Sequence, residues 1–178
     1  MRRNEAELIK GIMRGDCTAL HDLYDTFFAR LHRFAWHLTR DTIAAEDIVH
    51  DVFLKIWSNR SLWSPGINLS GYLYRAVKNQ ALNHLRSRKS RGEVRINADI
   101  VSPEQTDAEA ELEDLRHTIQ HCVDALPPGC RTVFILSRYE EMKYQDIAVS
   151  LGISPKTVEN QMGRALRKLR ICLAKLLE

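Results

Sequence analysis

Apolar residues recur at helical spacing along nearly all of this 178-residue chain, and no segment alternates apolar and polar residues between hairpin turns. Ile48, Val49, Val52, Phe53 and Ile56 fall at the i, i+4, i+8 and i+1, i+5 positions of one helical stripe. Leu20, Leu23, Tyr24, Phe27, Phe28 and Leu31 repeat that spacing upstream. Val133, Phe134 and Leu136 lie in a short helix that can begin at Pro128, because proline suits a first helical turn. The pattern predicts an all-α fold of two small helical domains, 1–92 and 107–178, joined by a flexible linker over 93–106. Residues 92–102 carry no helical stripe. Ser102-Pro103-Glu104 then offers an N-cap, a first-turn proline and an early acid, which are helix-start signals. A polar, non-periodic linker predicts that the two domains pack weakly against each other.

Charge follows the same division. Residues 1–92 hold 15 Lys and Arg against 9 Asp and Glu, and residues 116–178 hold 10 against 6. Between them, residues 93–115 hold one Arg against 8 acids. Two basic blocks around an acidic connector suit two modules that touch one polyanion through a segment that avoids it. The uncharged stretches fall short of the ~20 apolar residues of a membrane helix. Asn4, Glu5 and Glu7 stand where a signal peptide would need an apolar run. A cytoplasmic protein without membrane insertion is expected. Cys17, Cys122, Cys130 and Cys172 form no CxxC pair, and in a reducing compartment they read as small buried hydrophobes.

The clearest local signal runs from Tyr144 to Val158. Ile147 and Leu151 can face inward from a first short helix, with Ala148 where a second must approach closely. Gly152 can take the left-handed turn conformation, Ser154 can cap the second helix and Pro155 can occupy its first turn. That is a helix-turn-helix of the kind that fits a major groove. At about 100° per residue, Met162, Ala165, Leu166 and Leu169 cluster with Val158. Lys156, Asn160, Gly163, Arg164 and Arg167 fall opposite, where they can bond base edges and phosphates.

From Val52 to Gly92 there is no Asp or Glu, while Lys55, Arg60, Arg75, Lys78, Arg86, Arg88, Lys89 and Arg91 are interleaved with Trp57, Trp63, Tyr72 and Tyr74. Positive charge attracts phosphates, and aromatic faces stack unpaired bases. Arg75, Asn79, Asn83 and Arg86 share one helix side. Trp63, within Ser61-Leu62-Trp63-Ser64-Pro65-Gly66, reads as a loop residue. No Walker loop, G-x-S-x-G or H-E-x-x-H appears, so the sequence predicts no enzyme and no cofactor. His117, His121, Cys122 and Cys130 invite a zinc reading, but Cys122 steps about 100° from His121 and no paired-ligand spacing supports it, so no metal is expected.

Three ordered blocks add a resemblance. Ala45 to Trp57 is similar to region 2.2 of the extracytoplasmic-function sigma factors of bacterial RNA polymerase. Gly71 to Asn79 resembles their regions 2.3 and 2.4. Leu126-Pro127-Pro128, Arg131 to Phe134 and the helix-turn-helix resemble region 4. The resemblance implies an alternative sigma factor that binds polymerase core at the β′ clamp helices and the β flap, with an anti-sigma factor as a further partner. It implies core-polymerase contacts at Asp47, His50, Asp51, Phe53, Lys55 and Trp57; the family often carries Gln where His50 stands. It implies −10 element capture and melting by Trp63, Tyr74, Arg75, Lys78, Asn79, Asn83 and Arg86. It implies −35 readout by Lys156, Thr157, Asn160, Arg164, Arg167 and Lys168. The alternative reading is a helix-turn-helix regulator that binds promoter DNA without joining polymerase.

Overall fold

A computed structural model describes residues 4–64, 66–91 and 107–176, and all regular structure among them is helical. The predicted linker and its Ser102-Pro103-Glu104 start signal lie outside the described residues. Helix α1 (Glu5–Met13) is opened by a reciprocal cap between Asn4 and Glu7, each side chain bonding the other's backbone N–H at 2.9 Å. Helices α2 (Cys17–Thr39), α3 (Thr42–Ser58) and α4 (Leu69–Ser90) start at Asp16, Asp41 and Asn68, whose side chains accept the orphan first-turn amides. Their apolar stripes pack α2 against both α3 and α4, with α1 laid along α2. Helices α5 (Asp107–Asp124), α6 (Pro128–Arg138), α7 (Tyr144–Leu151) and α8 (Pro155–Leu176) form a second group in which α8 packs on the other three.

The two groups are not weakly associated. One apolar core runs from Leu8 and Ile9 in α1 through Leu31, Phe34, Leu73 and Val77 to Val133, Leu136, Ile147 and Val158. Here the structure departs from the expectation of loosely packed domains. The linker's composition speaks only of the connector, whereas apolar residues of α2, α4, α6 and α7 are buried together in one core. Helix α4 crosses α7 closely enough that a Cβ on Gly71 would stand 3.3 Å from the Ser150 Cα.

Polar clamps fasten this seam. The Glu140 side chain, just beyond α6, is fully buried and faces Arg33 in a two-pronged contact, with Nε to Oε1 at 2.8 Å and Nη2 to Oε2 at 3.1 Å. Arg30 stands 3.7 Å away, and the Tyr74 hydroxyl donates to the same carboxylate at 3.5 Å. Nearby, Arg131 donates to the His37 carbonyl at 2.7 Å and pairs with Asp124, which also receives Arg40 at 3.3 Å. The His37 ring stacks on Tyr139 with centroids 4.0 Å apart.

The cysteines are a second departure. Cys122 of α5 and Cys172 of α8 form a disulfide, Cys17 is exposed, and only Cys130 is a free buried thiol. Pairing across 50 residues has no signature in linear spacing.

The seam yields two predictions. Arg33→Ala removes the nearest partner of a buried carboxylate and should lower unfolding free energy by about 2 kcal/mol, below the range for a fully buried pair because the Arg33 side chain is half exposed and Arg30 and Tyr74 remain. Arg33→Ala combined with Glu140→Leu should recover part of that loss in the same denaturant titration; a double variant that loses the full sum would deny that Glu140 depends on Arg33. Burial, reinforced by Arg40, Arg33 and Arg131, holds the His37 imidazole down at about 4, below its unfolded 6.5. The unfolded chain therefore binds the proton first as pH falls, so this contribution is complete above pH 6.5 and drains away toward pH 4, to the order of 3 kcal/mol. His37→Phe, which keeps a ring against Tyr139, should flatten the stability–pH profile across that window.

Candidate nucleic-acid interface

Helix α7 ends at Gly152 with φ 67°, a left-handed conformation that favours glycine. The chain then turns into α8, where the Ser154 hydroxyl accepts the Thr157 amide at 3.1 Å and Pro155 takes the first position. The helix-turn-helix is therefore formed as the sequence predicts. Val158, Met162, Ala165 and Leu169 are buried against the other helices, while Leu166, expected among them, is largely exposed. Opposite them Asn160, Arg164 and Arg167 are exposed, and Lys168 is exposed at the flank of the buried stripe. Lys156 is exposed but paired with Glu159 at 3.0 Å, and Thr157 is half-buried with its hydroxyl 2.8 Å from that of Ser154. A Cβ built on Gly163 meets nothing within 4 Å. Packing among the described residues gives no reason for a glycine there.

Helix α4 presents Asn79, Asn83 and Arg86 on one exposed face, with Arg86 reaching Asn83 at 3.5 Å. Arg75, one turn earlier, is exposed but aims its guanidinium at α7. Its Nε donates to the Ser150 carbonyl and its Nη2 to the Val149 carbonyl, each at 3.4 Å. A cation at the C-terminal end of α7 also answers that helix's dipole. Lys78 is half-buried, and burial, followed by the nearby Arg75 charge, pushes its ammonium below the usual lysine range.

The proposed aromatic stacking platforms are corrected. Tyr74 is fully buried, edge-on to Phe34 at 5.3 Å, and burial pushes its phenol up to about 12. Trp63 is 7% exposed, edge-on to Tyr72 at 4.9 Å. The short 3-10 turn Arg60–Leu62 swings the chain back so that the indole joins the core, despite its polar neighbours. Neither ring is open to a base in this arrangement.

On α3, Asp47, Asp51 and Lys55 are exposed and line a groove shared with Asn83 of α4. Phe53, assigned to the same contact set, is instead a core residue against Tyr24, which removes it from any external contact. His50 is half-buried and shares a 3.0 Å hydrogen bond with the Tyr24 hydroxyl, and Trp57 lies half-buried beneath the Arg60 guanidinium at 4.7 Å. The sequence reading missed Ile43 and Leu54, which stand 75% and 63% exposed on this helix. Their signal was available: both fall off the buried stripe. It also missed the Arg30, Arg33 and Glu140 cluster, which no local spacing reveals.

Residues 23–91 match the family described as Sigma-70 region 2, and residues 116–169 match Sigma-70, region 4. The chain belongs to the extracytoplasmic-function sigma factors. It is 30% identical over 153 residues to the ECF RNA polymerase sigma factor SigE of Mycolicibacterium smegmatis, covering 82% of this chain but only 58% of that relative. It is 29% identical over 176 residues to SigW of Bacillus subtilis, covering 91% of this chain and 92% of the relative. The fold is similar to that of CnrH in complex with the cytosolic domain of CnrY, with TM-score 0.73, 23% identity and 96% and 97% of the two chains covered. It is also similar to the sigma factor RpoE in complex with the anti-sigma factor NepR from Bartonella quintana, with TM-score 0.63, 22% identity and 86% and 96% covered. Among the described residues no helix is long and apolar enough to cross a membrane.

In this sigma factor the open space at Gly163 generates a prediction. A solvent-facing glycine inside a helix costs roughly 0.5–1 kcal/mol relative to alanine. Gly163→Ala should raise the melting temperature of the free protein while weakening its binding to duplex promoter DNA. A stabilised variant with unchanged DNA affinity would mean that nothing approaches the backbone at that turn.

Proposed function

We propose that this chain is an alternative sigma factor that joins RNA polymerase core in the cytoplasm and directs promoter recognition, strand opening and initiation by binding alone, without bond chemistry of its own. The observation that carries the reading is the pairing of two exposed, acid-poor helix faces on one molecule. Asn160, Arg164, Arg167 and Lys168 stand on the second helix of a formed helix-turn-helix, and Asn79, Asn83 and Arg86 stand on α4. The first face suits duplex, where Arg and Asn bond base edges and phosphates from the major groove. This module, over 107–178, reads the −35 element.

The second face belongs to the module over 1–92 and serves the −10 element. Amide side chains can hold the edges of an unpaired base once the strands part, at an unstacking cost of a few kcal/mol. The groove between α3 and α4 joins this task to polymerase docking: Asp47, Asp51 and Lys55 form one wall and Asn83 stands on the other. Exposed Ile43 and Leu54 add apolar area, giving α3 the mixed character of a docking face. The polymerase clamp helices are the partner for this surface, and the β flap is the partner for the C-terminal module. For Arg75 to meet DNA it must give up the Val149 and Ser150 carbonyls, so engagement of both promoter elements goes with opening of the seam. An anti-sigma factor fits as the partner that keeps it closed; RpoE, which has a similar fold, is in complex with the anti-sigma factor NepR.

The test is transcription in vitro with core polymerase, on duplex promoter and on the same promoter mismatched across the −10 element. Loss of one base contact should cost roughly 1–3 kcal/mol in each case. Premelting should restore much of the activity lost in Asn83→Ala and little of that lost in Arg164→Ala. Equal rescue of both variants would overturn the division of labour, and failure of the wild-type chain to co-elute with core would overturn the sigma-factor reading itself.

A further inference from the structure

The second, smaller core lies between α5 and α8, and it holds a cluster of soft ligands that promoter recognition does not use. The His121 imidazole and the Cys122 and Cys172 sulfurs lie within 4.8 Å of one another. Spacing along α5 argued against such a site, because adjacent residues on a helix diverge; the missing partner comes from α8, with the two cysteine Cα atoms 5.7 Å apart. Cys122 is buried among Val123, Leu126, Ala165 and Leu169, Cys172 is half-buried, and His121 is exposed at the rim.

We propose that, when its two thiols are reduced, this cluster is a metal site for a single soft divalent cation of the zinc class. A zinc ion sits ~2.3 Å from sulfur and ~2.0–2.1 Å from imidazole nitrogen, which spaces its donors about 3.5–3.8 Å apart around a tetrahedron. The imidazole nitrogen and both sulfurs lie within 4.8 Å of one another, and reduction of the disulfide frees the bonded sulfurs to part to that spacing. Two thiolates and a neutral imidazole cancel the charge of the ion, so the loaded site is neutral and suits its partly buried place. The exposed side leaves the fourth position to water. Reducing conditions favour the dithiol, and thiolate ligands select zinc-class ions over magnesium or calcium. The disulfide is then the discharged state of the same site. Oxidation takes one electron from each sulfur, forms the Cys122–Cys172 bond and releases the cation. With hydrogen peroxide as oxidant, those two electrons and two protons from solvent yield two waters. Loaded or oxidised, the site fastens α5 to the helix that carries the −35 face.

The experiment is an anaerobic titration of the reduced full-length chain with Co²⁺ as a spectroscopic stand-in for zinc. One equivalent should produce a thiolate-to-cobalt charge-transfer band with the strong visible absorption of a tetrahedral site. Hydrogen peroxide should abolish the band as the disulfide forms. Cys172→Ser should remove it and Cys130→Ala should leave it intact. His121→Ala should weaken binding by more than the roughly 10–100-fold that loss of a merely supporting contact brings. Should Cys172→Ser fold poorly, the unaltered chain still decides: Zn²⁺ should slow alkylation of Cys172 and not of exposed Cys17, read by mass spectrometry. Absence of the band, its persistence in a folded Cys172→Ser chain, or equal protection of Cys17 would overturn the site. None of these readouts depends on promoter activity, so the site and the sigma-factor reading can fail separately.

Discussion

A carboxylate taken out of water loses several kcal/mol of hydration unless charged or hydrogen-bonding groups replace it. Glu140 is in that position, and the replacements come from Arg33 and Arg30 of α2 and Tyr74 of α4, which lie far away in sequence. The short segment after α6 is thereby tied to two helices of the N-terminal group. The consequences spread outward. Glu141, the next residue, is held at φ 53°, and Arg40, whose guanidinium faces Asp124 across the same seam, at φ 57°. Such left-handed backbone is disfavoured for these residues and persists where surrounding contacts over-determine it. With Glu140 fixed, α7 lies against α4, and the shared apolar core closes behind the charges.

Helix existence was legible almost throughout because burial imposes the 3.6-residue period directly on the sequence. The helix-turn-helix was legible to the residue: Gly152, Ser154 and Pro155 each carry a backbone requirement that a local reading can recognise. Exposure was legible for Asn79, Asn83, Asn160 and Arg164, which fall opposite an apolar stripe. It was misread for Trp63 and Tyr74, while Phe53, rightly placed on the apolar stripe, was also given an outward contact. Polar neighbours argued that Trp63 was in solvent, but one 3-10 turn reverses the chain and tucks the indole inward. Tyr74 and Phe53 were assigned through the family pattern, which carries position without burial.

The seam and the Cys122–Cys172 pair were illegible for a different reason. Glu140 and Arg33 are ordinary surface residue types, and only the relative placement of α2 and α6 gives them to each other. Cys122 and Cys172 are brought together by the packing of α5 on α8. Linker composition was silent on both, because what decides whether two modules adhere is the surface each leaves uncovered.

Under the proposed −10 role, Arg75 would belong to two surfaces, and that has a thermodynamic consequence. While its guanidinium holds the end of α7, DNA that needs the same group must compete with a fastened neighbour. The apparent affinity of the free protein is then its intrinsic affinity scaled by the fraction of molecules already open. A closed state favoured by about 2 kcal/mol would weaken promoter binding roughly thirtyfold. Linkage is reciprocal, so any protein that binds only the open form strengthens DNA binding by the same factor, and DNA strengthens its hold in return. On that reading, the closed seam, with Arg75 one of its fastenings beside the shared core and the Glu140 clamp, would hold the unaccompanied chain back from DNA and leave the assembled complex responsive to its promoter.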